Sequence, residues 1–374
     1  MARRIMPVRA LIFSVSIGSG HDSVANALAE RLREDIPGSQ VEIVDTFQYI
    51  NSVLHKVVFG SYMETLKFTP KVWGYLYNQA EDGERLVDLG QILSKLLSPK
   101  LEQLLKAFNP EVILTSHAFP TGILAVLKRR EHIRMPLAAV VTDFHVHSFW
   151  IHHGVDRYFL PAQDLEYQLL RNGIQPETIK GFGIPLRQQF SEKFNMAVTR
   201  EELQLEQMPT VLVMGGGLGL GRIEVIVKML LDNSNFQVVV VSGKNKRLHD
   251  YLLNLHNPRL KVFGFLENIA KIIAACDLVI SKPGGVTTAE VLAMKKPLVI
   301  YSSLPGQEDR NIDYLLNKGA AIKVRKLDML VPEIISLWDN PLRIRHMEEI
   351  SAQIGSPIAS SFVWDELVSL LENR

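Results

Sequence analysis

The chain has 374 residues, 47% of them hydrophobic and 22% charged; this exceeds what one hydrophobic core normally holds, so two domains are expected. Forty-one Lys and Arg against 40 Asp and Glu give a net charge of +1, which provides no overall field of the kind a nucleic-acid-binding protein carries and leaves only local patches. The one cysteine, Cys276, excludes an intrachain disulfide, fits a reducing compartment and lies in the apolar stretch IIAACDLVI, where a buried structural thiol is expected.

Val8 to Val15 reads as a first strand. Arginines precede it as in a signal peptide, but the apolar run is short and passes directly into the turn Gly18-Ser19-Gly20-His21. Ser23 to Arg33 carries Ala and Leu at helical spacing, and Val41 to Val44 is a second strand. This opening lacks the third glycine of the dinucleotide fingerprint, and Asp45 alone is weak support for a ribose contact. Six aromatics fall in the next nineteen residues of interest, Phe59, Tyr62, Phe68, Trp73, Tyr75 and Tyr77, among Lys56, Lys67 and Lys71. Aromatics at such spacing pack into a core or, with lysines beside them, rest on a membrane interface. No stretch reaches the roughly 18 apolar residues needed to cross a bilayer, so a soluble or membrane-surface protein is expected.

A helix from Glu84 to Phe108, a strand from Glu111 to Thr115, a helix from Phe119 to Arg130 and a strand from Leu137 to Val141 continue the alternation. The last strand ends in Thr142-Asp143-Phe144-His145-Val146-His147. His145, His147, His152 and His153 raise a metal hypothesis, but no cysteine is near and carboxylates are sparse, so no metal is expected. Asp143 and His145 are instead placed at a strand's carboxyl end, facing the same cleft as His21. Arg157 to Leu160, a helix from Ala162 to Asn172 and a strand from Thr178 to Gly181 close this half, and the apolar periodicity fades from Gly183 to Pro209, the expected linker.

The pattern then restarts with strand Thr210 to Met214 and a turn, Gly215 to Gly221, holding five glycines in seven residues. Such a turn lets backbone approach a ligand and leaves N–H groups for phosphate oxygens, yet without a following Lys-Ser or Lys-Thr it is not a P-loop. Helix Ile223 to Leu231, strands Phe236 to Val241 and Leu260 to Val262, and a helix opened by Gly264 and running to Ala275 lead to strand Leu278 to Ile280. The next stretch, SKPGGVTTAEVLAMKKPLVIYSSLPGQEDRN from Ser281 to Asn311, reads as glycine turn, helix, strand and polar loop. In a parallel sheet this turn lies where ligands bind, and a nucleotide-linked sugar is expected there. Helices from Leu327 to Trp338 and Pro341 to Ile354 follow. A last amphipathic helix, Ile358 to Glu372, needs a partner surface and is expected to cross back onto the first domain.

Taken together, Gly18-Ser19-Gly20-His21, Thr142-Asp143-Phe144-His145, SKPGGVTTAE and PGQEDRN resemble the processive diacylglycerol glycosyltransferases and plant monogalactosyldiacylglycerol synthases. The peptidoglycan glycosyltransferase MurG is a more distant relative. The resemblance covers nearly the whole chain, and SKPGG followed by PGQE is its most specific part. It implies an α/β GT-B fold, with two Rossmann-like domains facing across a cleft: 1–190 plus the C-terminal helix 357–374 on the acceptor and membrane side, and 205–356 on the UDP-sugar side. It also implies metal-independent, inverting transfer from a UDP-hexose, without a cofactor, to diacylglycerol or a related lipid at the inner face of the cell membrane. Gly217, Gly219, Lys282, Gly284, Gly285 and Thr287 are expected around the diphosphate, Glu290 at the ribose, and Gln307 with Glu308 at the sugar hydroxyls. Gly20, Phe59, Tyr62, Phe68 and Trp73 fall to the acceptor and membrane side. His21, at a helix N-terminus whose dipole disfavours imidazolium, and Asp143 are the two candidate bases, with His145 near the diphosphate; His117 receives no catalytic role. Rival readings are a MurG-like transferase with a polyprenyl-linked acceptor, a UDP-sugar epimerase and a non-catalytic UDP-sugar binder.

Overall fold

Near-continuous apolar runs such as Arg9–Ser14 and Thr210–Met214 form strands buried on both faces, which is how parallel strands covered by helices read. A computed structural model of the chain describes residues 6–16, 19–50, 99–301 and 307–373. The aromatic group of Phe59, Tyr62, Phe68 and Trp73, with its membrane-or-core alternatives, lies outside them.

The first sheet contains β1 (Arg9–Ser14), β2 (Gln40–Asp45), β3 (Val112–Thr115), β4 (Leu137–Val140), β5 (Arg157–Phe159) and β6 (Ile179–Lys180), in the order β2-β1-β3-β4-β5-β6. The second contains β7 (Thr210–Met214), β8 (Gln237–Val241), β9 (Leu260–Phe263), β10 (Leu278–Ser281), β11 (Leu298–Ile300) and β12 (Ala321–Lys323), in the order β12-β11-β10-β7-β8-β9. Every pairing is parallel. These are two Rossmann-like domains, each with its own crevice where strand order reverses: between β1 and β3 in the first and between β7 and β10 in the second.

Five helices position what lies at those crevices: α1 (Gly20–Asp35), α2 (Ala118–Arg129), α3 (Gly285–Ala293), α4 (Gln307–Lys318) and α5 (Ala359–Glu372). α1 and α3 open directly from the glycine turns after β1 and β10. α5 crosses back onto the first domain as expected, burying Val363, Trp364 and Leu367. Trp364 Nε1 donates to the Leu28 carbonyl over 2.8 Å, Ser360 Oγ donates to the Leu186 carbonyl over 2.8 Å, and Arg157 pairs with Glu366 at 2.7 Å. Among the described residues no helix is long and apolar enough to cross a membrane.

Two expected helices change, and the stretch from Gly183 to Pro209, the expected linker, is packed: Leu186, Phe190 and Leu205 are buried, and Met196–Glu202 is helical. Arg200 bonds the Ala275 carbonyl and Asp277, each at 2.8 Å, while Asp277 also accepts from Thr210 N at 2.7 Å. The segment therefore becomes part of the second domain's wall. The helix expected over Ala162 to Asn172 is a 3-10 turn, Gln163–Leu165, and one α-turn, Tyr167–Leu170. The helix expected from Gly264 begins only at Ile269, capped by Asn268, and Phe265 is left exposed. Cys276 is buried as expected, and burial pushes its thiol up to about 12.

Candidate active site

The two crevices face each other. A methyl group added to Gly217, in the turn after β7, would fall 2.4 Å from Ser19 Oγ at the start of α1. One added to Gly20 would reach Val286 Cγ2, in the first turn of α3, at 3.4 Å. The N-termini of α1 and α3 thus meet, bringing two positive dipole ends into one region, and the Gly285 N–H is spent on the Asp143 carboxylate.

His21 lies in the first turn of α1. Its Nδ1 is 2.7 Å from the carbonyl oxygen of Ser116, just beyond β3, and 3.2 Å from Thr142 Oγ1, just beyond β4. A carbonyl can only accept, so Nδ1 carries the proton and Nε2 presents a lone pair. Burial holds the ring below its ordinary range, against the Ser116 carbonyl and Asp22, which pull it up. The His117 ring is 4.6 Å away, edge to face. His117 is the N-cap of α2, its Nδ1 accepting from Phe119 N at 3.0 Å, and burial with its His21 and His147 neighbours lowers it well below the usual range. It is a neutral cap.

Asp143 stands on the first domain but is held by the second. Asn311 Nδ2 donates to its Oδ1 over 2.9 Å, and Gln307 Nε2 donates to its Oδ2. Burial raises its carboxyl to about 7, against the hydrogen bonds from Asn311 and Gln307. His145 is oriented from its own domain, with Gln168 Nε2 2.8 Å from its Nδ1. His147 is buried and lowered to about 3, chiefly by that burial. Among the described residues no three His, Cys, Asp or Glu side chains gather as metal ligands.

In the second domain, Gly284 opens α3 with nothing within 4 Å of a would-be Cβ, so its backbone borders open space. Gly285 has no such room: a methyl there would fall 1.9 Å from the Thr142 carbonyl. Gly219 has φ +59° and abuts the Ser242 carbonyl, so it shapes the turn from within, whereas Gly216, at φ +70°, borders open space. Lys282 pairs with Glu308 at 3.5 Å, both largely buried. Thr287 and Glu290 are partly buried on α3. Burial raises the Glu290 carboxyl to about 8, with Arg187 opposing. Arg187 also lies 3.7 Å from Glu30 of α1.

Several participants escaped the sequence reading. Ser116 and Thr142 follow strands as unremarkable polar residues, and Arg187 fell in the supposed linker. Asn311 ends the PGQEDRN motif; its spacing of four from Gln307 was the available signal, since it puts both on one helix face.

Residues 21–186 match the monogalactosyldiacylglycerol synthase family model, and residues 191–355 match that of the glycosyltransferase family 28 C-terminal domain. A processive diacylglycerol beta-glucosyltransferase of Bacillus cereus (strain AH187) is 30% identical over 368 residues, covering 96% of this chain and 93% of that protein. The chain belongs to the diacylglycerol glycosyltransferase family. A Bacillus mycoides relative of the same description is 29% identical over the same shares. Among solved structures, Anabaena HepE in complex with UDP-glucose has a TM-score of 0.56 at 15% identity, covering 98% of this chain and 100% of that one. Acinetobacter baumannii MurG has 0.56 at 16%, again over 98% and 100%. These two likenesses establish the GT-B fold. The family membership makes the protein a glycosyltransferase.

Proposed function

We propose that this glycosyltransferase moves glucose from UDP-glucose to the hydroxyl of diacylglycerol, or of a glycolipid made from it, with inversion at the sugar carbon. The observation that carries the reading is the meeting of the α1 and α3 N-termini, where His21 Nδ1 is committed to the Ser116 carbonyl and the Gly284 backbone borders open space. Glucose, rather than galactose, is favoured by the printed names of the full-length relatives. The first domain with helix 357–374 takes the acceptor, and 205–356 takes the donor.

In this reading His21 Nε2 removes the acceptor hydroxyl proton as its oxygen attacks the anomeric carbon. The carbon–oxygen bond to UDP breaks, and UDP leaves with the electron pair. The Ser116 carbonyl keeps Nδ1 protonated and the ring turned toward the cleft. Charge gathering on the diphosphate is met by the Gly284 N–H, by the Gly215–Gly221 turn and by Lys282, a preorganised set that needs no metal, while the Gly285 N–H serves Asp143. Glu290 accepts from the ribose hydroxyls. Gln307 and Glu308 contact the sugar, and His145 stands beside the diphosphate. Gly20 borders the acceptor path.

The test is incubation with diacylglycerol-containing phosphatidylcholine vesicles and separate UDP-glucose, UDP-galactose and UDP-N-acetylglucosamine, reading UDP release and lipid product. UDP release with glucose alone supports the reading. Release with N-acetylglucosamine and a polyprenyl-linked acceptor would replace it, and donor epimerisation without acceptor would do so too.

A further inference from the structure

α4 carries Gln307, Asn311, Tyr314 and Lys318 at intervals of four, three and four residues, which is one helix face, and all four touch the first domain. Gln307 reaches Asp143. Tyr314 stacks on Phe144 with ring centroids 5.1 Å apart and 25° between planes, and its hydroxyl is 3.3 Å from Asp164 Oδ1. Lys318 pairs with Asp164 at 2.5 Å, but both side chains are more than a third exposed, and such pairs contribute little. Asn311 differs from these because it is fully buried and saturated. Its Oδ1 accepts from Phe144 N at 2.8 Å, and its Nδ2 donates to Asp143 Oδ1 and to the Pro283 carbonyl, each at 2.9 Å.

That geometry joins three things: the backbone of the acceptor-side loop, its carboxylate, and the carbonyl that immediately precedes the Gly284–Gly285 turn. A buried amide so committed has one orientation, because turning it would leave the Phe144 N–H and the Pro283 carbonyl facing groups of their own kind. We propose that Asn311 is a positioning residue: it sets Asp143 and the Thr142–Phe144 loop in register with the donor turn, so that the acceptor is presented only when the two domains are aligned. This rests on the glycosyltransferase reading. It assigns Asn311 to alignment of the halves and leaves donor binding within the second domain independent of it.

The experiment uses the full chain with Asn311→Ala, Asn311→Asp and the exchange Asp143→Asn with Asn311→Asp, in which donor and acceptor swap places. UDP affinity is measured by calorimetry, turnover with UDP-glucose and diacylglycerol vesicles, and unfolding by thermal denaturation. Loss of hydrogen bonds to a charged group predicts that Asn311→Ala lowers kcat about 10- to 100-fold, while the UDP dissociation constant changes less than about threefold. Asn311→Asp sets two carboxyls in contact and melts at a lower temperature than Asn311→Ala, and the exchange recovers part of that loss. The proposal is overturned if Asn311→Ala keeps near-normal kcat, if UDP affinity falls in step with kcat in every variant, or if the exchange melts no higher than Asn311→Asp. Wild-type protein that releases no UDP from any sugar would sink the functional reading instead, and the melting comparison still decides the pairing.

Discussion

His21 and Ser116 are joined across the strand-order reversal of the first sheet by the 2.7 Å contact between Nδ1 and the carbonyl oxygen. Because the carbonyl fixes the tautomer and burial keeps the ring from charging, Nε2 is unprotonated at neutral pH, as the proposed base must be. His21→Ala is expected to lower kcat about 10²- to 10⁴-fold, the usual contribution of a positioned base, with UDP affinity nearly unchanged. The pH profile separates the two candidates. A base on His21 leaves kcat level down through pH 6.5 and falling below it, whereas an acid limb near pH 7 belongs to Asp143, whose carboxyl is raised to about 7.

Much of this arrangement was legible from residue order. Parallel strands covered on both sides leave long apolar runs, and the glycine turns after β1, β7 and β10 mark where those runs meet a ligand. Contacts between the domains were not legible, because no local pattern reports them. Asn311 looks like any polar helix residue until Asp143, 168 positions earlier, is seen against it. Residues 183–209 lost their periodicity because Leu186, Phe190 and Leu205 point into the core from separate short turns rather than from one element. Ala162 to Asn172 shows the reverse error: helical spacing was present, but Gln163 leaves the helix to hold Gly181 N through its side chain at 2.8 Å.

Neighbouring glycines should respond oppositely. Gly284 has φ −64°, ordinary for any residue, and open space around its Cβ position, so Gly284→Ala should melt like wild type while weakening UDP binding if the diphosphate lies there. Gly285→Ala drives a methyl to 1.9 Å from the Thr142 carbonyl. Overpacking of this kind costs about 1–3 kcal/mol or more, and here it pries the domains apart. Thermal denaturation and UDP calorimetry on both variants check the contrast; equal melting of the two would refute it.

Glu290 links donor binding to pH. Its carboxyl is raised to about 8 by burial, above the ordinary 4.5, so its contribution to folding is fully present below pH 4.5 and is lost as pH rises through 8. Glu290→Gln removes that loss. The variant should therefore gain in melting temperature relative to wild type between pH 5 and pH 9. If the ribose lies there, Glu290→Gln should weaken UDP affinity about 10- to 100-fold at pH 9, where the wild-type carboxyl is ionised, and by less as pH falls below 8 and the carboxyl becomes neutral. A melting difference that stays constant across this range would show that the carboxyl titrates as an ordinary exposed group.

The last helix is expected to be a condition for the first domain's stability. Trp364 is 2% exposed and donates to the Leu28 carbonyl on α1, the helix that carries His21, so α5 supports α1 from behind. Trp364→Ala removes a large buried ring and the indole bond that the Leu28 carbonyl accepts beside its helical one. The cavity alone is worth about 3–5 kcal/mol. Trp364→Phe keeps most of the volume and loses only the N–H, so its hydrogen-bond cost should be about 0.5–1.5 kcal/mol. Denaturant unfolding of the two variants measures the difference. If Trp364→Ala unfolds at the wild-type midpoint, α5 does not brace α1, and the crossing back is an attachment without energetic consequence.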